Sequence, residues 1–250
     1  LLWIESMKND RVKKWKKLLT RKGREKERLF LVEGHHLIEE ALKEKIVKTI
    51  IIDEEKEVPK EWTVNEKEIV RVSKNVFKEI SETETPQGVI AVCDMLKQQK
   101  LTYDQGKYLL IDRVQDPGNV GTMIRTADSA GFDAVILGKG CADLYNGKTI
   151  RATQGSLFHM PVYQHILEEI VNGLKINSVK VYGSALKGAR DYRSVEKTDS
   201  FGLLVGNEGE GVQEQLLAMC DEKVSIPIFG QAESLNVAVA AGILMYGLSN

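Results

Sequence analysis

The sequence predicts an α/β protein built as two units. Short β-branched or leucine-rich runs alternate with segments whose apolar residues recur every three or four positions, from Leu29 to the last helix. Glycines close several of these runs, at Gly34, Gly183 and Gly206, where a strand must turn. Residues 95–107 are polar, with Lys97, Gln98, Gln99, Lys100 and Gly106, and part a smaller first unit from a larger second one. The expected segments are 1–28, a basic N-terminal helix; 29–94, a small α/β domain; 95–107, a linker; and 108–250, a second α/β domain.

Composition excludes several classes. With 250 residues, 42% hydrophobic and 28% charged, the chain has the makings of ordinary packed cores. No apolar run approaches the roughly 18 residues of a membrane span, and no signal-peptide pattern opens the chain, so no membrane partner is expected. Cys93, Cys141 and Cys220 form no Cys-x-x-Cys pair and have four histidines for company, which argues against disulfides and metal and fits a reducing cytoplasm. Leu1 is not a start residue and Asn250 falls just after the last helix, so trimmed ends are expected.

The net charge of -1 hides an asymmetry: the first 30 residues hold 11 Lys and Arg against 4 Asp and Glu, the other 220 hold 24 against 32. In the basic run, Lys13, Lys14, Lys17, Arg21, Lys22 and Arg24 are candidate contacts to the phosphates of a nucleic acid, the alternative being a solvated helix face. Trp3 and Trp15 suit base stacking or core anchoring equally.

Taken in order, Val12, Trp15, Leu18 and Leu19 predict a short amphipathic helix over 9–19, broken by Arg21-Lys22-Gly23-Arg24. Leu29–Val32, Lys48–Ile52, Val70–Val72 and Gly88–Val92 read as strands, with helices after Gly34 and over 75–80 and a charged loop over 53–68. In the second unit Tyr108–Ile111 is a strand, and Asn119 is the expected N-cap of a helix stopped by Gly131. Ala134–Leu137 returns as a strand, a helix is expected near 149–156, and Pro161–Tyr163 is strand-like. A helix over 166–174, strands at 179–183 and 201–205, a helix over 212–220 and a strand at 223–226 follow. Ser234 is the expected N-cap of the final helix, whose Ala238, Ala240, Ala241 and Gly242 permit close packing.

The loops carry the chemistry. Neither Gly-x-Gly-x-x-Gly nor Gly-Lys-Ser/Thr follows a strand, so the common nucleotide fingerprints are absent. Present instead are Asp116-Pro117-x-Asn119-x-Gly121-x-x-x-Arg125, then Gly206-x-Glu208-x-x-Gly211, then Ile226-Pro227-x-x-Gly230-x-x-x-Ser234-Leu235-Asn236-Val237. Taken alone, Arg125 suits a salt bridge to Asp116 or Asp128 and the last segment a buried helix after a turn.

Together these three ordered segments resemble the signatures of the SpoU/TrmH family of RNA ribose 2'-O-methyltransferases, of the SPOUT superfamily, with Ile228 where the family has Met. Phe30–Gly34 and Pro86–Ala91 are similar to pieces of the ribosomal-protein-like RNA-binding domain that many members carry. The resemblance implies a parallel-sheet catalytic domain with a C-terminal trefoil knot, a homodimer, and S-adenosyl-L-methionine bound in the knot. The cofactor contacts it implies are Ser184, Ala185, Leu186, Val205, Gly206, Asn207, Ile226, Gly230 and Leu235, with Ile226 and Leu235 flanking the adenine. It further implies that Arg125 engages the acceptor hydroxyl and a phosphate while Asn119, Ser234 and Asn236 hold geometry. A guanidinium is fixed in its charged state, so Glu208 stands as a second candidate for base, or for orienting Arg125. Ribosomal RNA is the favoured substrate, with transfer RNA the alternative. A non-catalytic RNA-binding module and a phosphotransferase using the 206–211 loop remain open.

Overall fold

A computed structural model describes residues 2–60, 62, 69–97 and 100–249. Residues 61 and 63–68 of the expected charged loop, Gln98 and Gln99 of the expected linker, and Leu1 and Asn250 lie outside the described residues. The chain forms two compact units, Leu1–Lys97 with Asp143–Phe158, and Gln98–Ala142 with His159–Asn250.

Unit one is a five-stranded mixed sheet in the order β1 (Leu2–Ile4), β4 (Ile69–Val72), β3 (Val47–Asp53), β5 (Val89–Asp94), β2 (Leu29–Glu33). Strand β4 runs parallel to β1 and β3, and β5 antiparallel to β3 and β2. Alternate residues Ile4, Val70, Val72, Ile51, Ile90 and Val92 enter one core, closed by helices α1 (Asp10–Lys17) and α4 (Lys74–Ile80). Helix α3 (His35–Lys43) starts where Gly34 turns at φ 105 and packs against β2, β5 and β3.

Three features depart from the sequence reading. Residues 1–28 are not a single basic helix: β1 joins the sheet, α1 follows, and Val12, Trp15 and Leu18 lie in the sheet's core. That settles Trp15 as a core anchor, while Trp3 is 46% exposed on the edge strand. The stretch at Arg21 starts helix α2 (Arg21–Glu27) instead of ending one, because Thr20 Oγ1 accepts from Gly23 N at 3.2 Å as its N-cap. Gly23 is there for closeness, since a Cβ would overlap the Lys17 carbonyl. Last, 143–158 folds with unit one. Helix α6 (Gly147–Thr153) packs on β2, the Tyr145 ring lies 4.7 Å from that of Phe30, and Leu96 N donates to the Tyr145 hydroxyl at 3.1 Å.

Unit two is a seven-stranded, wholly parallel sheet. Its order is β10 (Arg190–Asp191), β12 (Glu222–Ser225), β9 (Lys180–Ser184), β11 (Phe201–Gly206), β6 (Lys107–Asp112), β7 (Ala134–Leu137), β8 (Val162–Gln164). Strand β11 is buried throughout and β6 from Tyr108 onward, the apolar runs that a sheet covered on both faces demands. Helices α7 (Leu167–Ile176) and α8 (Glu214–Met219) supply Leu167, Ile170, Val171, Leu174 and Leu216 to one core. Helices α5 (Pro117–Ser129) and α9 (Val237–Leu248) pack against each other. The parallel register brings the C-terminal ends of β12, β9, β11 and β6 side by side, where the loops of such a sheet form binding crevices. Among the described residues no helix is long and apolar enough to cross a membrane.

Two helix starts differ from expectation, with consequences for the site. Pro117 occupies the first turn of α5, so Asp116 is the N-cap, its Oδ1 accepting from Asn119 N at 2.8 Å. Asn236, not Ser234, caps α9, its Oδ1 accepting from Ala238 N at 2.9 Å and Val239 N at 3.3 Å. The Asn119 side chain is thereby released from capping, and Ser234 stands exposed in the preceding loop.

Candidate functional site

A pocket of about 440 Å³ opens at the ends of β9, β11 and β12, within the size range of small-molecule sites. Of the nine residues expected to touch a cofactor, eight line it; Gly230 is the exception, standing exposed with nothing within 4 Å of where a Cβ would be. Glu208 and Ser234 line it too, as do Ile228, Val237 and Ala240.

Its floor is built around Gly206. A Cβ there would overlap the backbone of Gly211 and Val212, because the loop folds back to pair Asn207 with Gly211 through N–H···O bonds of 3.1 and 2.9 Å. Gly211 takes φ 71 to close that turn. Asn207 Oδ1 accepts from Gly209 N and Glu210 N, and its Nδ2 donates to the Arg113 carbonyl at 2.9 Å, fastening the loop to the end of β6. Buried Asp112 adds a second fastening, accepting from Gln213 N at 2.8 Å and Gln213 Nε2 at 2.9 Å. Arg113, at φ 54, bridges Asp112 and Glu210. Sequence reading missed Asp112, Arg113, Glu210 and Gln213, whose partners lie about a hundred positions away in the chain; the one local signal was an acidic residue ending an apolar strand.

A directed chain of hydrogen bonds joins the three signatures. Asn236 Oδ1 is committed to the α9 cap, which leaves its Nδ2 to donate to Asn119 Oδ1 at 3.0 Å. That in turn orients Asn119 so that its Nδ2 donates to Glu208 Oε1 at 3.1 Å, where Asp116 N also donates at 3.4 Å. A helix cap thus sets the polarity of a relay that ends on a carboxylate at the pocket wall.

Arg125 stands apart from this chain. It is exposed on α5, its guanidinium has no partner among the described residues, and neither Asp116 nor Asp128 takes it. Gly121, one turn earlier, is buried. The cysteines lie outside the pocket wall, and burial pushes the Cys141 and Cys220 thiols up to about 11 and that of Cys93 higher, so none offers a thiolate near neutral pH. Among the described residues no group of three or more His, Cys, Asp or Glu is placed to hold a metal ion.

The basic candidates of unit one divide. Arg24 is 4% exposed and donates to the Leu18 carbonyl at 2.8 Å and to Asp143, so it is a structural residue and not a surface contact. Lys13 pairs with Asp10, Lys14 with Glu27 and Arg21 with Glu25, all pairs with exposed cations that are easily exchanged. Lys17 and Lys22 are exposed with no side-chain partner among the described residues.

Residues 106–246 match the family described as the SpoU rRNA Methylase family. This chain belongs to that family. Residues 9–91 match a domain described as the MRM3-like substrate binding domain. The SpoU methylase chain is 52% identical over 246 residues to the 23S rRNA (guanosine(2553)-2'-O)-methyltransferase RlmP of Bacillus subtilis, covering 98% of each. Among solved structures it resembles an AdoMet-bound rRNA methyltransferase from Sinorhizobium meliloti, with a TM-score of 0.88, 31% identity and coverage of 98% and 96%. It also resembles the SpoU methyltransferase AviRb of Streptomyces viridochromogenes in complex with AdoMet, with a TM-score of 0.84, 30% identity and coverage of 96% and 97%.

The pocket fits that cofactor on its own terms. Gly206 leaves backbone where a side chain would intrude, and Val205, Ile226, Ile228 and Leu235 offer apolar walls to an adenosine. Glu208, Glu210 and Glu233 supply negative charge for a sulfonium and an ammonium.

Proposed function

We propose that this SpoU methylase transfers a methyl group from S-adenosylmethionine to a ribose 2'-hydroxyl of 23S ribosomal RNA, at the guanosine equivalent to that named for its Bacillus relative. The observation that carries this reading is the Asn236–Asn119–Glu208 chain at the wall of the Gly206 pocket. When bound, the cofactor supplies an already activated sulfonium methyl, so the protein's task is chiefly placement. The Gly206–Gly211 loop holds the adenosine by backbone groups, and the relay fixes Glu208 as an acceptor facing the pocket. Arg125, permanently charged and open to solvent, binds the phosphate and orients the hydroxyl, while Glu208 is the better group to draw off its proton.

Because the Arg125 guanidinium has no partner among the described residues, the reading includes a homodimer in which it serves the partner's pocket. The apolar α9 supports this, with Val239 52% and Tyr246 57% exposed beside α5. The trefoil knot belongs to the same reading, supported by family membership and by β11 lying between β9 and β6 while β12 flanks β9. Unit one is the RNA-holding part, and three free cysteines suit a cytoplasmic setting.

Calorimetry with S-adenosylmethionine and mass-spectrometric mapping of 2'-O-methyl nucleosides in ribosomal RNA test the core claim. Binding by the parent, loss of at least tenfold in affinity for Gly206→Ala, and one new methylated guanosine are expected. Methylation confined to transfer RNA would overturn the substrate. Mixing inactive Arg125→Ala and Glu208→Ala proteins restores activity if the site is shared between subunits, and restores none if each chain works alone.

A further inference from the structure

Of the described residues lining the pocket, one is basic. Lys187 stands on its wall three positions past the end of β9, exposed, in a loop turned by Gly188 at φ 65. It has no ion-pair or hydrogen-bond partner among the described residues. Two of the three acidic groups of the wall differ in this respect: Glu210 is tied to Arg113 and Glu208 to Asn119 and the Asp116 amide, while Glu233 is exposed with no side-chain partner among the described residues. A cofactor entering here brings two positive groups, sulfonium and ammonium, and one negative group, the methionyl carboxylate. Glu208 and Glu233 answer the first two by charge, and among the described lining residues Lys187 alone answers the third by charge. A backbone-lined, net acidic pocket would by itself repel that carboxylate.

We propose that Lys187 binds the carboxylate of the methionyl end of S-adenosylmethionine and so distinguishes the intact cofactor from ligands that lack this group. This rests on the cofactor reading given above. An ammonium on a flexible four-carbon stem suits the task, since it needs no fixed geometry and follows the ligand in and out. The contact lies at an exposed rim, so its strength is modest and its signature is selectivity and salt dependence.

The test is calorimetric titration of the parent, Lys187→Ala and Lys187→Arg proteins with S-adenosylmethionine and with its decarboxylated analogue, which keeps both positive groups. Thermal melts establish that each variant is folded. Lys187→Ala is expected to bind S-adenosylmethionine about fivefold more weakly and the analogue unchanged, with the difference shrinking as salt is raised. Lys187→Arg is expected to behave as the parent. Equal weakening toward both ligands, or no weakening, overturns the assignment. So does a Lys187→Ala protein whose cofactor binding is intact while its affinity for RNA falls, which would make Lys187 a phosphate contact. A folded parent that binds neither ligand removes the cofactor reading itself, and this assignment with it.

Discussion

Arg24 of unit one and Arg125 of unit two both sit on helices and meet opposite fates. Arg24 is 4% exposed and held by Leu18 and Asp143; Arg125 stands in solvent with no guanidinium partner among the described residues. Density of charge in the chain points the wrong way for both: Arg24 belongs to a run of eleven cations, Arg125 to a helix with no other. The lesson is physical. A long basic run exceeds what an RNA backbone must contact, and some of it is free to be folded inward against a carboxylate. An exposed cation that is the sole one of its helix and has no side-chain partner among the described residues is the better candidate for a ligand contact, the role proposed for Arg125.

The contrast can be tested directly. Replacing Arg125 by Ala should leave the melting temperature within about a degree and cut the single-turnover methylation rate by two to three orders of magnitude; a variant retaining most of its rate would return Arg125 to the solvated surface. Arg24→Met leaves Asp143 without its cation and should lower the denaturant stability of unit one by about 3 kcal/mol, with S-adenosylmethionine affinity unaltered. Here an unchanged unfolding midpoint would be the adverse result. Asn236→Asp keeps the α9 cap but takes away the donor to Asn119, so the relay reverses. We expect roughly a tenfold loss of rate, equivalent to about 1.4 kcal/mol, with stability unaltered, read by kinetics beside calorimetric unfolding. Smallest is the effect of Lys17→Gln or Lys22→Gln, each expected to lower the salt slope of RNA binding by about one without touching the chemical step; an unaltered slope would clear that lysine of phosphate contact.

Much of this is legible in the sequence. Strand and helix order in unit two followed from apolar runs and glycine stops, and the three signatures located the loops that line the pocket. What escaped had physical causes. Strands β1 and β10 are three and two residues long, too short for periodicity, and exist because a neighbouring strand supplies their hydrogen bonds. The caps differ from the expected Asn119 and Ser234 because a second capping residue stands three or two positions away, Asp116 and Asn236, and only geometry selects between them. Arg113, Glu210, Asp112 and Gln213 form a network between distant segments, and each alone looks like ordinary surface polarity.

The entry of residues 143–158 into unit one has a consequence for how the protein is made. Synthesis runs from the N-terminus, and domains ordinarily fold as they emerge. Here β6, α5 and β7 of the second unit leave the ribosome before Asp143, Tyr145 and Ile150 arrive to complete the first. Arg24 therefore waits for its carboxylate through more than a hundred residues of growing chain. The two units are interleaved in time, and unit one cannot complete its contacts until residues 143–158 have been translated.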